Sequence, residues 1–100
     1  MSDKIWKFYE THAWTQGALK RIVRTGMRLT IFEATSMIDK SEPIAYCMIG
    51  AAREVYQDIH MRTDICDMIQ KKLGRGIARW NDEDGRTKAD VIALCKELDV

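Results

Sequence analysis

Ala18-Leu19-Lys20-Arg21-Ile22-Val23-Arg24-Thr25-Gly26-Met27-Arg28-Leu29-Thr30-Ile31-Phe32 is the stretch on which the fold class turns. Leu19, Ile22 and Val23 suit one face of a helix, whereas Thr25-Gly26 sits between Ile22-Val23 and the alternating Met27, Leu29 and Ile31. A turn signal flanked by β-branched and alternating apolar residues favours a β-hairpin turning near Thr25-Gly26, with a helix as the competing reading. The choice governs the basic residues. In a hairpin Arg24 and Arg28 lie close to the turn and share one anion; in a helix Lys20, Arg21 and Arg24 share a face. A merely solvated surface is the plainer role for the same cations.

Outward from that stretch the pattern is helical. Residues 2–10 read as a short amphipathic helix capped by Ser2, with Ile5, Phe8 and Tyr9 on one face and Trp6 shielding its edge. Residues 11–17 form a connector in which Gly17 permits a tight turn. Ser41-Glu42-Pro43 is a helix start, because Ser caps, an early acid suits the dipole and Pro is tolerated in the first turn. That helix is expected to run to about Ile59. Ile44, Cys47, Met48, Ala51, Ala52 and Val55 form its apolar stripe, and Gly50-Ala51-Ala52 lets another element approach. A break at residues 60–63, with Thr63 as cap, leads into a helix over 64–73 that Gly74 stops. Residues 88–98 form the last helix, with Thr87 and Asp90 as a capping box and Val91, Ile92, Leu94, Cys95 and Leu98 inward. The expected architecture is a single domain over residues 1–100, mainly α, of about four helices with a short β-hairpin near residues 18–32.

One hundred residues suffice for one core and exclude a separate catalytic domain. A chain this short is often helped by self-association, so a homo-oligomer is expected. The net charge of +1 argues against a dedicated duplex nucleic-acid binder, which carries a larger basic excess. No apolar run approaches the roughly 20 residues that cross a bilayer, and Met1-Ser2-Asp3-Lys4 lacks the basic-then-apolar order of a signal peptide. A soluble cytoplasmic protein without a membrane partner is expected. Cys47, Cys66 and Cys95 are widely spaced in helical patterns and read as reduced core thiols. With His12 and His60 as the only histidines and no C-x-x-C pair, neither a zinc site nor another cofactor is expected.

Charge is unevenly placed. Residues 13–32 hold four bases, Lys20, Arg21, Arg24 and Arg28, and no acid, whereas residues 81–100 hold six acids and three bases. The densest chemistry is Arg79-Trp80-Asn81-Asp82-Glu83-Asp84-Gly85-Arg86-Thr87, an aromatic, an amide, three carboxylates and two guanidiniums between two helical patterns. Residues 81–85 are also good turn chemistry. The acids do not fit an EF-hand, whose invariant glycine is sixth: counting back from Gly85 puts Trp80 first. Gly74-Arg75-Gly76-Ile77 lacks the spacing of a P-loop and reads as a helix stop and joint.

Trp14-Thr15-Gln16-Gly17-Ala18, Tyr46-Cys47-Met48-Ile49-Gly50-Ala51, and Trp80-Asn81-Asp82 with Gly85-Arg86-Thr87 and Val91-Ile92-Ala93-Leu94 together make the chain resemble a family of small uncharacterised bacterial and phage proteins. Each word is weak alone; their order and spacing are specific, and they span most of the chain. The resemblance implies no activity. Because short phage proteins without an evident catalytic group often antagonise host defence, it implies an anti-defence role, of the anti-CBASS type.

Three function classes follow. The leading expectation is a nonenzymatic protein that sequesters an anionic nucleotide-type ligand such as a cyclic dinucleotide, which needs cationic donors, amides or hydroxyls, and aromatic faces. Trp14, Thr15, Gln16, Lys20, Arg21, Arg24 and Arg28 supply those types in one region and Arg79, Trp80, Asn81 and Arg86 in another. A site between subunits would combine them. The same tryptophans also read as core anchors, and Arg86 as the ion-pair partner of Asp82 or Asp84. The alternative is a protein-interaction module that docks a partner through the basic region or the acidic turn Asp82-Glu83-Asp84. A small nucleotide-processing enzyme is the third class and finds least support: His12 and the cysteines form no local nucleophile signature, and His60 reads as a surface or cap residue.

Overall fold

The computed structural model describes residues 3–29 and 43–100. The deciding stretch is a hairpin as far as it is described: β2 (Lys20–Ile22) pairs antiparallel with β3 (Arg28–Leu29). Its turn closes through hydrogen bonds from Gly26 N to the Ile22 carbonyl, 2.7 Å, and from Ile22 N to the Met27 carbonyl, 2.9 Å. Gly26 has φ +74°, opposite in sign to the φ of a right-handed helix, so the helical alternative is excluded. Thr30, Ile31 and Phe32 lie outside the described residues.

The hairpin is half of a larger sheet than expected. Two short strands, β1 (Ala13–Trp14) and β4 (Ile44–Tyr46), complete the order β1-β4-β2-β3. β4 runs parallel to β1, with Ala13 opposite Ala45 and Trp14 opposite Tyr46, and antiparallel to β2, with Ile22 opposite Ile44. Residues 44–46 are therefore strand, not the opening turn of a helix begun at Ser41. The expected cap, Ser41-Glu42, lies outside the described residues. Ile44 fits a 3.6 period with Cys47 and Met48, but β1 and β2 beside it offer a ladder on each edge, and tertiary pairing overrides the pattern.

The helix follows at once as α2 (Met48–Val55), with Cys47 in the cap position and its thiol accepting from Gly50 N at 3.4 Å. Gly50 is small for a reason: a Cβ there would run into the Leu19 carbonyl, the group that accepts the Cys47 N–H at 3.1 Å.

The remaining helices are α1 (Ile5–Thr11), α3 (Ile59–Leu73), α4 (Ile77–Asn81) and α5 (Lys88–Leu98). Thus the described residues contain five helices, one more than the pattern suggested. α1 starts three residues later than expected, with Lys4 at its cap position and no side-chain cap bond; Ser2 lies outside the described residues. The break before α3 falls at residues 56–58 rather than 60–63, because Asp58 caps it by accepting from Met61 N at 2.9 Å. Thr63 is inside the helix, donating to the Ile59 carbonyl at 2.8 Å, and His60 is exposed in its first turn. Gly74 ends α3 in the left-handed region, and the Thr87–Asp90 capping box starts α5, as read from the sequence.

Ile5, Phe8 and Tyr9 of α1, Met48, Ala51 and Ala52 of α2, and Val91, Leu94 and Cys95 of α5 meet in one core closed by Ile69, Ile77 and Trp80. Cys47 and Cys95 are buried and Cys66 half-buried, all three as free thiols. No helix among the described residues is long and apolar enough to cross a membrane.

Candidate functional site

Asn81 organises the polar centre. It is the buried polar residue of the core, 0% exposed, at the end of the short helix α4, so Arg79, Trp80 and Asn81 are helical rather than loop residues. Its Oδ1 accepts from Trp14 Nε1 at 2.7 Å and from Met48 N at 3.1 Å, while its Nδ2 donates to the Thr15 carbonyl at 3.1 Å and to Asp82 Oδ1 at 3.0 Å. Two obligate donors on one side and two acceptors on the other fix the amide orientation without ambiguity. Every capacity of the side chain is used, as burial demands.

Around it the remaining letters of the two motifs interlock. Gln16 Nε2 donates to the carbonyls of Asn81 and Glu83, each at 2.9 Å, and Gly17 N donates to Asp82 Oδ1 at 3.0 Å. Gly17 has φ +76°, which turns its N–H toward that carboxylate. The Trp-Thr-Gln-Gly and Trp-Asn-Asp words thus read each other across about 65 residues of chain; the structure brings Trp14, Thr15, Gln16 and Asn81 together as a latch between β1 and α4.

The cations differ in exposure. Arg21 lies along the hairpin and donates to Thr15 Oγ1 at 3.1 Å, the Gly26 carbonyl at 2.8 Å and the Gln16 carbonyl at 3.1 Å. Lys20 pairs with Glu54 at 2.6 Å beside the Tyr46 ring. Arg86 stacks on the Trp80 ring at 3.8 Å, donates to the Trp80 carbonyl at 3.0 Å and pairs with Glu83, which also meets Arg75. The partner of Arg86 is therefore Glu83, three residues away and on the same turn, not Asp82 or Asp84. Arg24, Arg28 and Arg79 are exposed, the first two at the end of the hairpin beside Val23 and Met27, which are 52% and 55% exposed.

A groove of about 690 Å³ opens elsewhere, lined by Lys7, Phe8, Glu10, His12, Glu54 and Val55 among others. The His12 ring lies flat on Phe8, centroids 3.9 Å apart, and its Nδ1 is 2.9 Å from the Phe8 carbonyl. An Nδ1–H donated to that carbonyl leaves Nε2 as the acceptor nitrogen. Nothing in the local sequence announces this groove, because its residues come from two helix ends brought together only by packing.

Burial makes the thiols harder to ionise: the pKa values of Cys47 and Cys66 lie above the ordinary thiol value, and that of Cys95 is pushed up to about 12. Desolvation favours the thiol over the thiolate at all three, and Cys47 in addition caps α2. Desolvation likewise raises the Tyr9 phenol, whose hydroxyl donates to the Tyr46 carbonyl at 2.9 Å. Among the described residues no cluster of three or more His, Cys, Asp or Glu side chains is arranged to hold a metal ion.

Comparison with curated proteins and with solved structures returns no match. A family model matches residues 8–98, a span that contains all three sequence words and the whole latch, and the chain belongs to a family of unknown function, DUF6197.

Proposed function

We propose that the protein works by binding rather than by chemistry, docking an acidic macromolecular surface through the tip of the β2–β3 hairpin. One observation carries this reading: Val23 and Met27 stand half exposed at the turn beside the exposed Arg24 and Arg28. Exposed apolar side chains rimmed by guanidiniums match the composition of interface cores, where Met and Arg are enriched. The turn is also stiffened from within, since Arg21 ties the Gly26 carbonyl back to the Thr15–Gln16 connector, which lowers the ordering cost of docking. An exposed turn suits a large partner. A small ligand is usually enclosed over most of its surface, and most donors expected for such a ligand, Trp14, Gln16, Arg21, Asn81 and Arg86, already have partners inside the fold.

The reading is tested by placing a photo-crosslinking residue at Met27 and, as a control, at the exposed Lys96 on α5, in cells carrying the native gene. A discrete adduct from position 27 that disappears with Arg28→Glu and is absent from position 96 is the expected result. Equal labelling from both positions, or an adduct indifferent to Arg28→Glu, refutes it.

A second reading is the sequestration of an anionic nucleotide, such as a cyclic dinucleotide, by a phage-type antagonist of host defence. It draws on Arg24 and Arg28, which flank one turn and have the donor chemistry of a phosphodiester clamp. A thermal-shift screen against mono-, cyclic di- and tri-nucleotides separates the two. Stabilisation with the ligand recovered unchanged favours sequestration, consumption of the ligand indicates an enzyme, and no shift leaves the macromolecular partner.

A further inference from the structure

Helix α3 carries more apolar surface than the core takes from it. Of its 15 residues only Ile69 is buried, while Ile59, Met61 and Met68 are 61%, 54% and 43% exposed. At about 100° per residue, Met61, Ile65, Met68 and the stem of Lys72 form one stripe. It lies beside the stripe of Cys66, Ile69 and Leu73 that meets the core, against which Ile65, at the shared margin, also packs. Charge is graded along the same helix: Asp58, Asp64 and Asp67 precede Lys71 and Lys72. Asp64 and Lys71, both exposed, border the same edge of the Met61–Met68 stripe, two turns apart. Lys72 pairs with Glu97 of its own chain at 2.8 Å; His60 lies on the same edge one turn before Asp64, and Arg62 lies on the opposite side of the stripe, toward the core-facing residues.

We infer that this face joins two copies of the chain through an antiparallel α3–α3 contact about a two-fold axis between Ile65 and Met68. Antiparallel packing turns an acidic-to-basic gradient into its own complement, so that each Asp64 faces Lys71 of the second copy. Parallel packing would set like charges together. A two-fold contact of this kind is self-complementary by construction, and the exposed methionines supply the adaptable apolar fill such a seam needs. The contact is independent of the hairpin reading, which lies on different elements.

The test uses the full chain, followed by light scattering across a dilution series. The native chain is expected to dimerise, and Met61→Ser with Met68→Ser to become monomeric while keeping the urea midpoint that the native chain shows when diluted to monomer. Asp64→Lys alone and Lys71→Glu alone are each expected to weaken self-association about tenfold, because each places like charges at both ends of the seam. Mixing these two variants in equal amounts restores both attractive pairs, so a mixed dimer as tight as the native one is the expected result. A native chain that is monomeric at about 100 µM, a mixture no tighter than its components, or a dimer indifferent to the methionine replacements overturns the inference.

Discussion

Replacing Asn81 by alanine removes the group on which the latch converges. The substitution strands the Trp14 indole N–H, the Met48 backbone N–H and the Thr15 carbonyl, which now bond the amide at 2.7–3.1 Å. A buried polar group left without a partner costs about 1–3 kcal/mol. The Met48 bond is buried and the other two are partly buried, so water relieves part of their loss. The sum is about 3–5 kcal/mol, a large share of the 5–15 kcal/mol that holds a domain of this size.

For about 100 residues that corresponds to a fall of roughly 15–30 °C in Tm. Urea unfolding followed by tryptophan fluorescence gives the same quantity as a shift in midpoint at constant slope. Asn81→Asp sharpens the test. Its shape is conserved, but an ionised carboxylate would point an acceptor at the Thr15 carbonyl and the Asp82 carboxylate. Its cost should match or exceed that of alanine at neutral pH and shrink in acid, where the protonated carboxyl donates again. A loss below about 1 kcal/mol for Asn81→Ala, within the range of a single ordinary hydrogen bond, refutes the reasoning.

Gly50→Ala is expected to destabilise by about 1–3 kcal/mol, although alanine favours helices, because the added methyl meets the Leu19 backbone rather than a yielding side chain; an unchanged urea midpoint would disprove this. Arg21→Ala should cost about 1–2 kcal/mol and speed hydrogen exchange at Ile22, and Arg21→Lys should rescue little, since one ammonium does not span three separate acceptors. Stability should fall as pH rises from about 9 toward 12: the unfolded Cys95 thiol ionises near the ordinary value, 9.0, and the folded one not until about 12, so the unfolded chain binds fewer protons in that window. Urea midpoints measured in the neutral range and within that window test it. Cys95→Ala should flatten the dependence, and a slope unchanged by that variant would count against the assignment.

The deciding hairpin was legible because Thr25-Gly26 and the alternating Met27 and Leu29 state it locally. The capping box at Thr87 and the stop at Gly74 were equally local. What escaped the sequence depended on partners far along the chain. Nothing within Ile44-Ala45-Tyr46 says that strands β1 and β2 flank it, so the helical spacing of Ile44 with Cys47 and Met48 misled. The break before α3 was misplaced because Thr63 and Asp58 are both acceptable caps, and the position that ends α2 at Tyr56 decides between them. The candidate-site residues were chosen by side-chain type, and type alone does not separate an arginine that clamps a turn, as Arg21 does, from one left exposed, as Arg28 is. Their grouping in two words was nonetheless informative: Trp14, Thr15 and Gln16 with Asn81 and Asp82 do assemble, as each other's hydrogen-bond partners.

Ile5 N donates to the Val100 carbonyl at 3.0 Å, and Lys4 Nζ reaches the Asp99 carbonyl at 2.9 Å. With the latch spanning residues 14 to 83, this clamp means that α1 completes its seat only after α5 has emerged from the ribosome. Until then Ile5, Phe8 and Tyr9 have only Met48, Ala51 and Ala52 of α2 to cover them, and Val91, Leu94 and Cys95 of α5 complete the seat. A translating ribosome stalled with α5 still in its tunnel should present a client for chaperones, and one stalled after α5 has emerged should not.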